Sequence, residues 1–301
     1  MSAPDAKRFD GTTLGLYIAT VFLWGVSWIG IHAQLGVVAP EMSVLWRFLL
    51  AAVLMWGWVL ATGHQVRFAF ADHLRFAAVG CCLFSFNFIS FYYGGLSVPS
   101  GLLSVVFSLA SVFNLVLGFL IFRQKVEPRV ALGGVIGVAG IGLLFWPQIA
   151  GAGFNAGALK GLALCVMGTL FFCSGNMIST TVQRRGVPLL SATAWGMTYG
   201  CVVLLALNLL RGNAFIIETT MAYIGSLLYL SVGASVLAFM SYLTLLRRLG
   251  AARAGYATVL FPIVALTVST LVEGYHWTPL AVAGVALALF GNVLVLHRPA
   301  K

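Results

Sequence analysis

The chain has 301 residues, of which 61% are hydrophobic and 8% charged. An ordinary soluble domain carries about a quarter charged residues, and 17 basic with 7 acidic side chains cannot cover the surface of a globule this long. A soluble protein is therefore excluded, and lipid is the outer solvent. The net charge of +10 raises nucleic acid as a partner, so the placement of the basic residues becomes decisive.

A helix needs about 20 apolar residues to cross a bilayer core. Ten stretches of about that length are almost free of charge: Thr13–Leu35, Met42–Ala61, Leu74–Tyr93, Pro99–Phe122, Val130–Trp146, Gly157–Val182, Leu189–Leu210, Thr219–Leu246, Ala254–Val272 and Pro279–Leu296. Their apolar character runs all round, without the alternation of a membrane strand, which predicts helices and not a barrel. The segment before the first span carries Lys7 and Arg8 and resembles the start of a signal peptide. The apolar stretch is too long for one, and Trp24, Trp28 and His32 stand where a small-residue cleavage site would lie, so no cleavage is expected.

With a cytoplasmic N-terminus, the loops on that side hold 14 of the 17 Lys and Arg, among them Arg67, Arg123, Lys125, Arg129, Arg247, Arg248 and Arg253. The opposite side holds only Lys160 and Arg211, with Arg47 inside a span. This bias predicts an inner-membrane orientation with both termini cytoplasmic. It also accounts for the basic charge, which is spread over separate loops and makes no nucleic-acid patch. The five cysteines, Cys81, Cys82, Cys165, Cys173 and Cys201, all fall inside spans. Neither a disulfide framework nor a metal site follows from their spacing, and no cofactor is expected.

The chain reads as two halves, roughly 12–147 and 157–298. Pro128-Arg-Val-Ala-Leu-Gly133 answers Pro279-Leu-Ala-Val-Ala-Gly284, Gly140 answers Gly291 at the same offset, and Pro40 with Ser43 answers Pro188 with Ser191. Five crossings per half is odd, so the second repeat must be inverted relative to the first. Two inverted five-helix repeats around a central cavity are the usual basis of alternating access. Chance matches among apolar helices are the competing explanation.

Trp24-Gly25-Val26-Ser27-Trp28, Pro40 followed by Arg47-Phe48, the run Gly101 to Leu109, Arg253 to Pro262, and Glu273 together resemble the drug/metabolite transporter superfamily, specifically its EamA-domain members. The resemblance covers essentially the whole chain, helix for helix. It implies a ten-helix basket that moves small metabolites, and the aromatic-rich halves look most like the aromatic amino-acid exporters of the YddG type. The first half departs from the family, with no proline between Pro99 and Pro128 and Gln124 near the acidic position.

Arg47 is the charge placed well inside a span, and a lone intramembrane charge is a functional candidate by default. It can clamp a substrate carboxylate through its planar fork. It can also snorkel or lock a helix end, a reading favoured by its position only about six residues, or 9 Å, into the span. Trp24, Ser27 and Trp28 share one helix stripe that can stack on a flat apolar substrate. Asn87 and Asn176 are expected in the cavity wall, with interhelical hydrogen bonding as the alternative. Pro262 and Gly255 would let the ninth helix bend, and Gly94, Gly95 and Gly101, which flank Pro99, can serve the equivalent hairpin in the first half, with tight turns alone as the alternative explanation. Gly133 with Gly137, and Gly284 with Ala288, form small-residue faces suited to scaffold packing or a homodimer contact.

The acidic residues lie in loops or at helix ends, so gradient-driven movement without a carboxylate proton carrier is expected, and His32 reads as structural. The chain has no Gly-Lys-Ser/Thr phosphate loop for direct use of ATP. These readings point to an α-helical secondary transporter exporting small organic solutes, with amino acids, aromatic and other neutral ones, implied by the resemblance. An integral-membrane enzyme on a lipid-borne substrate and a channel are the rivals. No acid pair, metal cluster or nucleophile with a base supports the enzyme.

Overall fold

The computed structural model describes residues 10–123, 128–150, 155–249 and 256–296, which are helical with no strand. Ten helices follow in order among them. α1 is Gly11–His32 and α2 Pro40–Ala61. α3 runs from Phe70–Cys81 through a π-helical segment, Cys82–Phe86, into Asn87–Gly95. α4 is Ser100–Ser108 and, past a turn at Leu109, Ala110–Phe122. α5 is Pro128–Ala150, α6 Ala156–Arg184 and α7 Leu189–Arg211. α8 joins Met221–Leu228, a second π-helical segment Tyr229–Leu237 and Ala238–Leu249. α9 is Tyr256–Val272 and α10 Pro279–Leu296.

Local chemistry sets several helix ends. Asp10, Asn155 and Thr220 accept hydrogen bonds from the backbone N–H of Thr13, Ala158 and Tyr223, capping α1, α6 and α8. Pro40 opens α2, where a missing N–H costs nothing. Gly212, at φ +64°, closes α7 in the left-handed conformation that a side chain would disfavour.

Among the described residues, eight helices are long and apolar enough to cross a membrane, with two shorter apolar helices, Ala257–Val272 and Pro279–Val295. Large apolar side chains such as Ile18, Phe22, Val135, Leu210 and Leu271 face outward. A surface of that kind is stable only against lipid, and the chain is a multi-pass membrane protein.

The two halves interdigitate. α1 and α4 pack on α9, α2 on α7, α3 on α6 and α7, and α5 along α10. In the last pair a Cβ at Gly140 would stand 2.5 Å from the Ala288 nitrogen and 2.7 Å from the Gly284 oxygen. Gly133 meets Gly291 at a similar distance. The small-residue faces of α5 and α10 are therefore consumed within the chain, as scaffold packing.

Candidate functional site

The site grows out of one stripe of α1. Trp24, Ser27, Trp28 and Ile31 follow the i, i+3, i+4, i+7 spacing that places residues on one helix face, and all four line a small, partly open cavity of about 40 Å³. Asn87, Phe88 and Phe91 from α3, Phe107 from α4, Phe172 from α6, Phe239 from α8 and Phe261 from α9 complete its apolar wall, and Arg47 enters from α2. The rings hold one another. Trp28 stacks on Phe261 at 6.2 Å and meets Phe91 and Phe107 edge-on or tilted at 5.1 and 5.6 Å, while Trp24 meets Phe239 at 5.7 Å. Aromatic pairs at these separations add to burial and leave few rotamers free, so the wall is pre-formed.

Gly25 explains how α1 comes so near. A Cβ there would lie 2.6 Å from Cβ of Val264 and 3.2 Å from the Phe261 oxygen. Only glycine lets this part of the Trp-Gly-x-x-Trp run sit directly on α9. Gly101 does the same for α4, where an added Cβ would be 2.9 Å from Leu266 Cδ2 and Ser269 Cβ.

The π-helical segments aim the polar groups. Widening a helix to i→i+5 hydrogen bonding displaces carbonyls and side chains from their α-helical directions, and such segments concentrate at functional sites. In α8 the Ala234 carbonyl accepts the Trp24 indole N–H at 3.1 Å, and the next residue, Ser235, takes the Arg47 Nε–H on its hydroxyl at 2.9 Å. In α3 the π segment ends immediately before Asn87 and Phe88. The third helix of each half thus delivers the same kind of irregularity to the same cavity.

Arg47 does not snorkel. It is 2% exposed, with Phe88 4.3 Å and Phe48 5.4 Å from its guanidinium carbon. These cation–π contacts and the Ser235 hydroxyl hold it in place, while its Nη1 has no hydrogen-bond partner among the described residues. No carboxylate stands among the residues lining the cavity. Its depth along the sequence suggests escape toward the surface, but the side chain is enclosed, with Phe88 of α3 and Ser235 of α8 against it.

Two more polar atoms of the wall are buried without partners among the described residues: Trp28 Nε1 and Asn87 Oδ1. The Asn87 amide nitrogen points at the Leu83 carbonyl of its own helix, which leaves the oxygen as the unused side. Ser27 donates to the Trp24 carbonyl at 2.8 Å, so it offers only lone pairs to the cavity. Asn176, expected beside Asn87, is half-buried on α6 and does not line the cavity. Pro262 lies inside α9 next to Phe261 of the wall. Gly255 falls outside the described residues.

Polar ties gather at the end of the bundle where α1 finishes. The Glu273 carboxylate accepts from Ser100 and Ser269 and lies 3.4 Å from His32 Nδ1. Glu41 pairs with Arg211, and Tyr93 donates to the same carboxylate at 2.8 Å. Tyr92 donates to Gln34 at 2.6 Å. Phe88, Phe107, Phe172, Phe239 and Phe261 were not singled out by sequence, because phenylalanine at helical spacing is common throughout this chain. Ser235 stood among many intrahelical serines, and its role depends on a π segment that no residue pattern announces.

Known proteins resemble this chain over nearly its whole length. A Salmonella typhimurium protein named "Probable amino-acid metabolite efflux pump" is 24% identical over 300 residues, covering 95% of this chain and 94% of its own. The Escherichia coli "Uncharacterized inner membrane transporter YedA" is 25% identical over 284 residues, covering 93% and 89%. An "Uncharacterized transporter" of Archaeoglobus fulgidus is 22% identical over 279 residues, covering 93% and 96%. One solved crystal structure shares the fold at a TM-score of 0.69 with 15% identity, covering 94% of this chain and 95% of that one. The profile of the EamA-like transporter family matches residues 12–146 and again 159–297, and the chain belongs to that family.

Proposed function

We propose that this protein is a secondary transporter that exports small organic solutes, amino acids with aromatic or other neutral side chains, by alternating access. The observation that carries the reading is the cavity itself: aromatic walls and a buried Arg47 with no acidic residue among those lining the cavity, placed where helices of both halves meet. A mostly apolar pocket with a few placed polar groups is the general form of a small-molecule site. The two family matches, one on each half, support two five-helix repeats. Their odd number of crossings makes the second inverted, giving two near-equivalent packings that open one central site to either side. The amino-acid assignment draws on the name of the Salmonella relative, and an inner-membrane location on that of the Escherichia coli one. With both termini cytoplasmic, as the charge bias asks, the Glu273 and Glu41 ties lie on the outer side.

Purified protein in liposomes loaded with amino acids tests this directly, by following counterflow of labelled phenylalanine, methionine and threonine. Saturable exchange supports a carrier and ranks its substrates. Flux that rises without saturation indicates a channel. Silence across the panel removes the amino-acid assignment and turns attention to a lipid-substrate screen for the enzyme rival. A pH gradient should not accelerate exchange, because no carboxylate lines the cavity to carry a proton. Acceleration that His32→Ala abolishes would refute this.

A further inference from the structure

We infer that the cavity selects its substrate by a free carboxylate, read by Arg47, so that carboxylates with a compact apolar body enter and amines of the same shape do not. This deepens the transporter reading and rests on it.

The argument starts from the polar atoms left over. Arg47 Nη1, Trp28 Nε1 and Asn87 Oδ1 belong to side chains 2%, 6% and 3% exposed, and none has a hydrogen-bond partner among the described residues. A buried polar group without a partner is costly, and a buried charge far more so. Such groups in a cavity wall are explained by a ligand that completes them. Two of the three are donors, and Arg47 carries the formal charge of the wall, with no acid among its lining residues. The complement is an anion with two acceptor oxygens. An ammonium beside that anion is also accommodated, by Asn87 Oδ1 and by the faces of the surrounding rings. A free amine, by contrast, would add a second positive charge to a low-dielectric cavity with nothing to neutralise either.

Ser235 is a positioning residue in this scheme. Its hydroxyl holds the Arg47 Nε–H at 2.9 Å, which fixes the plane of the guanidinium. The π-helical course of α8 through Tyr229–Leu237 brings that hydroxyl to it.

The test is equilibrium binding to the purified, detergent-solubilised full-length protein. L-Phenylalanine, hydrocinnamate, L-phenylalaninamide and phenethylamine are each titrated directly by thermal shift. The first two carry the carboxylate and the last two do not. The carboxylates should bind about 10- to 100-fold more tightly, the worth of charge-assisted hydrogen bonds to a desolvated guanidinium. Arg47→Gln should erase that ranking. Ser235→Ala should weaken the carboxylates severalfold and leave phenethylamine unchanged, a split that general loosening of the fold would not produce. If Arg47→Gln does not fold, the wild-type ranking and Ser235→Ala decide. Phenethylamine binding as tightly as hydrocinnamate overturns the inference, as does the absence of binding by either carboxylate. Counterflow of some other solute in liposomes would then leave the transporter reading standing without it.

Discussion

Glu273 and Ser100 meet across 173 residues: the carboxylate takes the Ser100 hydroxyl at 2.6 Å and the Ser100 backbone N–H at 3.2 Å. The residue that follows α9 thereby caps the first turn of α4, where unpaired N–H groups and the helix dipole favour a negative charge. Ser269 donates to the same oxygen, and His32 approaches the other. One side chain ties α1, α4 and α9, three helices that also wall the cavity. Glu273→Ala should lower stability by about 2–3 kcal/mol, the scale of lost hydrogen bonds to a part-buried charged group. That loss reads as a fall of several degrees in the unfolding temperature of the solubilised protein. His32→Ala should cost under about 1 kcal/mol, because its ring is 46% exposed and screened. Equal effects of the two substitutions would contradict this account.

Gly25 and Gly15 lie on the same helix with opposite surroundings. A Cβ at Gly25 would meet Val264 at 2.6 Å, whereas one at Gly15 meets nothing within 4 Å. Gly25→Val should force α1 off α9, destabilise the protein by about 2 kcal/mol or more, and depress exchange by disturbing Trp24 and Trp28. Gly15→Ala should be neutral or stabilise by up to about 1 kcal/mol through helix propensity. Paired thermal unfolding and transport assays separate the two.

Asn292 joins α10 to the break in α4. Its amide nitrogen donates to the Ser108 hydroxyl at 2.9 Å and its oxygen accepts from Ser111, on either side of the turn at Leu109. Polar contacts of this kind stabilise a helix irregularity. Asn292→Leu removes both inter-helix hydrogen bonds while the hydroxyls keep their bonds to the Val105 and Ser108 carbonyls, and is expected to cost about 1–2 kcal/mol. Asn292→Gln, which retains an amide, should cost less. A leucine variant as stable as the wild type would show that the network is dispensable.

Asn87 and Asn176 look alike in sequence and part company in space. Asn87→Ala should reduce exchange at least severalfold, because it removes an unpaired acceptor from the cavity wall. Asn176→Ala should leave exchange within about twofold, since α6 presents Phe172 and not Asn176 to the cavity. The substrate concentration for half-maximal exchange is the quantity to compare. An effect at Asn176 as large as that at Asn87 would displace the site from where the cavity puts it.

Composition alone decides the solvent of this protein, because so few charges cannot face water over so large a surface. The helices are equally legible, since a backbone in lipid must satisfy its own hydrogen bonds and a run of about 20 apolar residues has no other way to do so. The Trp24, Ser27, Trp28 stripe and the exceptional status of Arg47 follow from spacing and charge, which act locally. Tertiary structure decides the rest. Whether Arg47 escapes or is enclosed depends on α3 and α8 packing over it, and whether Asn87 or Asn176 lines the cavity depends on the rotation of each helix about its axis. In helices that are apolar all round, no hydrophobic face sets that rotation in advance. It is set by the close approaches that Gly25, Gly101 and Gly140 permit and by π segments that turn Ser235 and the Ala234 carbonyl inward, contacts between residues more than a hundred positions apart.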